Sequence, residues 1–346
     1  MRMLLGIFAL LLIFGCIGNG EEKPEPVVNE TVEVEEPPPV SMVIEEQKNQ
    51  TREEQVPETP PEEENETEAP SSTELQYSYE PDAPIGIYFI DVAGATLHGD
   101  SVLIKRGDLD VLVDAGPAEN ANRVVDFLDS RGVDDIEVLI STNADPRHYG
   151  GIETVAENFE IEHFWWGGRT FAEDKYIDIV KMMNETAKET RIVAKGYSIE
   201  LNGISFEILN PSSDSYFDDV NNDAVVTRIS EGNFSLLLMS GLQKGGTQKL
   251  ANEQAAAIKC NVIQAPYFGT GEGTRDIGLF LVTATPDAMI ITGSADDSAE
   301  NGGSREPFER LLKQYNITAY KTYEEGDLRI STDGTQYAIR NMTFSG

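Results

Sequence analysis

From Ile85 onward the chain alternates short apolar runs with polar turns. Ile85-Gly-Ile-Tyr-Phe-Ile90 has the length of a strand and ends on the carboxylate of Asp91. Residues 101–105 and 111–114 repeat the pattern around Gly107-Asp108, a turn dipeptide. Over 117–131 the period changes: Val124, Val125 and Leu128 make one helical face, and Gly132 supplies a stop. Residues 133–140 lead into a polar turn, 161–166 form another strand, and 173–190 are helical with Ile177, Val180 and Met183 on one side. Asn202-Gly203 splits 197–208 into a hairpin, because Asn-Gly supplies the two positive-φ residues of a type I′ turn. A second hairpin is predicted from 225–230 and 234–240 over Glu231-Gly-Asn233. Helices follow at 247–258, 275–283 and 304–315, strands at 260–265 and 288–292, and a closing hairpin over 326–340. Strand meanders interleaved with helices predict an α/β or α+β fold of layered sheets.

Before Ile85 the pattern differs. Arg2, an apolar stretch over 3–14 and Gly15-Cys16 read as a signal peptide over 1–15; the apolar stretch falls short of the roughly 20 residues a spanning helix needs. Leu12-Ile-Phe-Gly-Cys16 resembles a lipobox, which makes Cys16 the expected lipidation site; an ordinary secretory signal or short uncleaved anchor is the alternative. Residues 21–84 hold 11 of the 17 prolines and runs such as Glu62-Glu63-Glu64. Such a segment buries too little apolar surface to fold. The expected organisation is therefore a signal peptide (1–15), an acidic Pro/Glu-rich stalk starting at the lipidation site (16–84) and a folded domain (85–346).

The formal net charge is −35, and residues 85–346 alone carry 41 acidic against 22 basic residues. A domain this acidic repels phosphate backbones, so nucleic acid is not an expected partner. Seven N-x-S/T sequons, at Asn29, Asn49, Asn65, Asn184, Asn233, Asn316 and Asn341, exceed the roughly two that this composition gives by chance and fit an exported, glycosylated protein. Of the two cysteines, Cys16 belongs to the targeting signal, and Cys260 opens an apolar run as a buried thiol.

The chemistry centres on Val138-Leu-Ile-Ser-Thr-Asn-Ala-Asp-Pro-Arg-His-Tyr-Gly-Gly151. It resembles the metallo-β-lactamase signature T-H-x-H-x-D-H-x-G-G, with Thr142, His148, Gly150 and Gly151 in place, but Asn143, Asp145 and Arg147 where two histidines and the aspartate are expected. Tyr88-Phe-Ile-Asp-Val92, Gly99-Asp-Ser-Val-Leu-Ile104, Leu112-Val-Asp-Ala-Gly-Pro117, Asn210-Pro211, Asn221-Asn222, Ile291-Thr-Gly-Ser-Ala-Asp296 and Phe308-Glu-Arg-Leu311 extend the likeness, in order, to the extracellular domain of ComEC-type DNA-uptake proteins. Residues 93–98 depart from that family's short link. The resemblance implies a four-layer αββα sandwich. It also implies an enzyme holding one or two zinc-like ions that make hydroxide from bound water. The family's later aspartate falls at Leu242 and its histidine pair at Tyr267-Phe268, which cannot ligate zinc.

The vestigial site positions are thus Asp91, Asp114, Asn143, Asp145 and His148, read as a hydrogen-bonded polar cluster with Arg147 neutralising the carboxylates in place of the ion. No cofactor is expected; zinc or manganese is implied only if the residual site is active. His98 is expected to be solvated and His163 exposed, with Trp165 and Trp166 offering an aromatic surface, at least one of them core. A Ser141–His148–Asp145 hydrolase lacks any nucleophile-elbow pattern, and the Gly-rich residues 269–274 read as a mobile rim. The expected function is a membrane-anchored, non-catalytic binding or structural module on the outer face of the cytoplasmic membrane, taking an envelope protein, peptide or glycan. A metal-dependent phosphodiesterase-like hydrolase and a DNA-uptake accessory factor are the alternatives.

Overall fold

The apolar runs become the strands of two mixed sheets in the computed structural model, which describes residues 75–94, 96–170, 174–213, 217, 219–295 and 305–342. Cys16, Asn29, Asn49 and Asn65 lie outside the described residues. The first sheet takes β1 (Ile85–Phe89), β2 (Val102–Arg106), β3 (Leu109–Val113), β4 (Ile136–Ser141), β5 (Ile161–Trp166) and β6 (Glu189–Ile192). The second takes β7 (Ser198–Leu201), β8 (Ile204–Asn210), β9 (Val226–Glu231), β10 (Phe234–Leu238), β11 (Val262–Gln264), β12 (Ala288–Ile291) and β13 (Thr318–Lys321). The chain then returns to the first sheet with β14 (Leu328–Thr332) and β15 (Tyr337–Asn341), giving the orders β15-β14-β1-β2-β3-β4-β5-β6 and β13-β12-β11-β10-β9-β8-β7.

Side-chain alternation along these strands builds the layers. Leu109, Val111 and Val113 of β3 join Phe206, Ile208 and Leu236 in a core between the sheets. Leu112 of the same strand points the other way, into a cluster with Val124, Phe127 and Leu128 of α1 (Ala121–Arg131). That outer cluster also takes Tyr149 of α2 (Pro146–Tyr149), Ile152 and Val155 of α3 (Ile152–Asn158), and Tyr176, Val180 and Met183 of α4 (Asp174–Thr186). On the far face Leu250 of α5 (Lys244–Glu253) packs in one cluster with Phe280 and Leu281 of α7 (Gly278–Ala284) and with Phe308 and Leu312 of α8 (Glu306–Gln314). A four-residue turn of helix, α6 (Gly271–Thr274), precedes α7. The expected αββα sandwich is the observed one.

Local departures have local causes. The predicted helix 173–190 stops at Thr186, because Glu189–Ile192 pairs in parallel beside β5 as an edge strand. Residues 146–149 and 152–158 are helical where the polar turn was expected; each is too short for a helical period to show. Asn202 (φ 47°) and Gly203 (φ 77°) form the expected β7–β8 turn. Trp165 is fully buried between the sheets against Tyr197, and Trp166 packs on Tyr176, so the pair forms no exposed aromatic surface. His163 is buried, not exposed, with Nδ1 3.7 Å from Glu189. Cys260 is the buried thiol expected, and burial pushes its pKa up to about 12. Asn184, Asn233, Asn316 and Asn341 are exposed. Residues 75–80, which composition assigns to the stalk, lie on the domain, with Leu75 and Tyr77 packed against the inter-sheet core. These two side chains and hydrogen bonds from Gln76, Ser78 and Glu80 hold the stretch, and the proline-rich composition around it hides it.

Candidate functional site

The site forms where β3, β4 and β10 end at one edge of the sandwich. After β3 the chain turns sharply at Asp114 (φ 60°), a left-handed conformation that Asp tolerates better than most residues. This aims its carboxylate across at β4. Asp114 Oδ1 accepts from Thr142 N at 2.8 Å, and Oδ2 accepts from Thr142 Oγ1. The Thr142 hydroxyl also bonds Ser240 Oγ beyond β10, so one carboxylate ties three strand ends together.

Asp145-Pro146 starts α2. Asp145 caps it by accepting from Arg147 N at 2.9 Å, and proline occupies the first helical turn, where its missing N–H costs nothing. This turn places His148 inside. Its Nδ1 lies 2.9 Å from Asp114 Oδ2, 3.6 Å from Asp100 Oδ2 and 3.4 Å from Ser240 Oγ. Gly150 and Gly151 follow because the backbone leaves no room: a Cβ on Gly151 would stand 2.3 Å from Ala115 O. Burial works against charge on His148, yet Asp114, with Asp100 and Asp145 behind it, holds the imidazole pKa above its ordinary value. Burial raises Asp100, against the pull of His148 and the Thr292 hydroxyl.

The opening is filled by protein. Tyr267 (φ 47°, ψ 50°) and Phe268 (φ 59°, ψ 21°) are two successive left-handed residues, and Phe268 is fully buried. Its ring stacks on His148 at 5.4 Å and meets His98 edge-on at 4.7 Å. The Arg147 guanidinium lies 4.7 Å from the Phe268 ring centre and 4.9 Å from that of Tyr267. Arg147 also donates to Asp145 at 2.6 Å and to Tyr267 Oη at 3.1 Å. Such backbone strain persists only where surrounding contacts over-determine it, as they do here.

Sequence reasoning is corrected at several positions. Asp91 is not in the cluster: its N–H donates to Asp327 Oδ1, beside the Arg123–Asp327 ion pair. Arg147 pairs with Asp145, while Asp114 is met by His148 instead. Asn143 Nδ2 donates to Asn221 Oδ1 at 2.9 Å. His98 is buried against Phe268, not solvated. Ser141 Oγ bonds Tyr176 Oη, so no Ser141–His148–Asp145 triad assembles. Ser240 is no substitute nucleophile: it and Asp114 both address Nδ1, and a relay needs opposite ring nitrogens. Asp100 and Ser240 were missed. Asp100 follows Gly99 at the opening of a strand, but nothing in sequence says its side chain turns inward.

Asp100, Asp114 and His148 bring three buried ligand atoms within 4.8 Å of one another, a group that can hold a metal ion. A hydrolytic centre asks for more. A catalytic zinc takes three protein ligands and keeps an open position for water. Here Asp114 spends both oxygens on Thr142 and His148, and the Phe268 ring covers one face of the imidazole. The other ring nitrogen, Nε2, is buried beside Gly241, where an added Cβ would lie 3.3 Å from it and 2.4 Å from Asn143 Nδ2. Gly241→Ala is accordingly expected to cost about 1–3 kcal/mol in stability, read by urea denaturation. The three residues can hold an ion, with Asp100 Oδ2 and His148 Nε2 buried and without hydrogen-bond partners among the described residues, while the Phe268 ring lies against the imidazole.

No protein-family model matches the chain. The ComE operon protein 3 of Bacillus subtilis (strain 168) is 23% identical over 225 residues, 64% of this chain and 27% of that protein. The chain thus spans about a quarter of that relative's length. Among solved structures, the metallo-β-lactamase fold protein YhfI from Bacillus subtilis aligns with a TM-score of 0.48 at 11% identity, covering 71% of this chain and 99% of that one. Igni18, a metallo hydrolase from the archaeon Ignicoccus hospitalis, aligns with a TM-score of 0.44 at 9% identity, covering 75% and 100%. The chain resembles metallo-β-lactamase fold proteins.

Proposed function

We propose that this chain is a non-catalytic binding or structural module on a metallo-β-lactamase-like scaffold, tethered at the outer face of the cytoplasmic membrane. The observation that carries the reading is the Phe268 ring, fully buried against His148 and His98 with the Arg147 guanidinium beside it, which packs protein where a hydrolase needs room for substrate. Arg147 supports it by supplying fixed positive charge and bonding Asp145 and Tyr267 across the mouth. The Arg2-to-Cys16 signal and the acidic stretch after it support the tether, and exposed sequons at Asn184, Asn233, Asn316 and Asn341 support a glycosylated exterior protein. Its partner is an envelope protein, peptide or glycan.

Two experiments test this. The purified full chain is expected to hydrolyse bis(p-nitrophenyl) phosphate no faster than the metal blank with zinc or manganese present. The grouping of Asp100, Asp114 and His148 favours the second reading, a metal-dependent hydrolase; turnover abolished by His148→Ala would establish it. Cys16→Ala is expected to move the protein from the membrane fraction to the soluble fraction of its native cells, and retention at the membrane would refute the lipid tether.

A further inference from the structure

At the opposite end of the sandwich lies a row of titratable groups that the proposed function does not use. Asp110 and Glu137 are the second residues of β3 and β4, whereas Asp114 and Thr142 follow the ends of the same strands. Lys105 of β2 stands opposite Asp110, with Nζ 3.0 and 2.7 Å from its two oxygens. The pairing of Val111 with Val138 sets Asp110 beside Glu137, and Asp110 N donates to Glu137 Oε2 at 2.7 Å. Ile136 opposite Ile161 and Val138 opposite His163 set Glu137 beside Glu162 of β5. Lys188 Nζ lies 2.6 Å from Glu162 Oε1. The row therefore reads Lys105, Asp110, Glu137, Glu162, Lys188.

Each outer carboxylate has its own ammonium; among the described residues the middle one has none. Glu137 is fully buried and its Oε1 has no hydrogen-bond partner. Among the described residues, the other titratable groups around the row are the acidic Asp134 and Asp135 before β4, Asp108 in the β2–β3 turn and Glu160 on Lys188, and His163 next to Glu162, whose pKa burial lowers. Burial pushes Glu137 up to about 8, with Asp135 and Asp110 adding to it. Burial likewise pushes Asp110 up to about 7, against the pull of Lys105.

The segment 75–80 is fastened to this row. Gln76 N donates to Glu162 Oε2 at 2.9 Å, and Ser78 N donates to Asp108 Oδ2 at 2.9 Å. On the second sheet Glu80 N donates to Asn202 Oδ1 at 2.8 Å, and Tyr77 Oη accepts from Asn202 N at 2.9 Å. The segment thus bridges both sheets where the chain enters the domain.

We infer that residues 75–80 form a pH-sensitive clasp, held closed while Glu137 is neutral and loosened when it ionises. Ionisation adds a negative charge one strand spacing, about 4.8 Å, from Glu162, and both nearby ammonium groups are already engaged. Hydrating that charge requires the base to open, which takes Glu162 away from Gln76 N. The direction follows from the raised acid: its stabilisation is complete below the unfolded value near 4.5 and is lost as pH rises through about 8.

Hydrogen exchange of the full chain in detergent tests this, read on peptides spanning 75–80 at pH 6, 7.5 and 9 and corrected for the intrinsic rate. Wild-type protection is expected to fall about tenfold or more from pH 6 to 9. Glu137→Gln, nearly isosteric, keeps the pH 6 protection throughout. Asp110→Asn removes a negative neighbour and moves the fall to lower pH. Gln76→Pro, lacking the N–H that Glu162 accepts, loses protection at every pH. Constant wild-type protection, or a fall in Glu137→Gln matching the wild type, would overturn the inference.

Discussion

Replacing Phe268 with alanine is expected to lower the unfolding free energy by about 3–5 kcal/mol. The ring is fully buried, so its removal forfeits apolar burial and leaves a cavity among His98, His148 and Arg147. Collapse cannot repair the loss cheaply, because His148 is pinned by Asp114 on one edge and meets Gly241 at the other. Urea unfolding followed by circular dichroism reads the effect. A loss under about 1 kcal/mol, in the range of a surface substitution, would mean that the ring is not packed as described.

The second large effect is at Asp145. Asp145→Ala removes the carboxylate that holds Arg147 and strands a largely buried guanidinium, which costs about 3–5 kcal/mol in comparable sites. It also removes the cap of α2, worth about 1 kcal/mol. The double variant Asp145→Ser with Arg147→Met is expected to recover most of the loss, since serine still caps and no charge is left unpaired. Thermal unfolding of the single and double variants separates the two terms. The pH response has a definite sign. Burial pushes the Asp145 carboxyl up, but the Arg147 hydrogen bonds and charge outweigh it and hold its pKa below the ordinary value. Its contribution is therefore present above the unfolded value near 3.8 and lost as pH falls through the lower folded one. The clasp at the other end of the domain weakens in the opposite direction, as pH rises, so the two ends bound a window of maximal stability between them.

Much of the fold is legible in sequence because each layer writes its own period. The run that became β1 is apolar on both faces, those of β2 to β5 are apolar but for a few charged or polar positions, and the helices over 121–131 and 306–314 show a single apolar stripe. What stayed hidden lies where neighbours decide. Edge strands β6 and β13 are short and half exposed, so no run announces them. Asp91 and Asp114 look alike in sequence, each a carboxylate closing an apolar strand; only the left-handed turn at Asp114 aims one of them at His148. Asp100 was invisible as a site residue because its inward direction depends on Thr292, 192 positions away. The pairing of Arg147 with Asp145 across a short helical turn was legible in charge but not in partner.

Metal content of the purified full chain tests the filled cleft most directly. The protein would be incubated with zinc, manganese and iron, desalted, and read by inductively coupled plasma mass spectrometry. A protein-filled cleft predicts metal far below stoichiometry in a folded domain, unchanged in a His148→Ala and Asp114→Ala double variant. Near-stoichiometric metal in the wild type that disappears in that variant would contradict the account and make Asp100, Asp114 and His148 the core of a working metal centre.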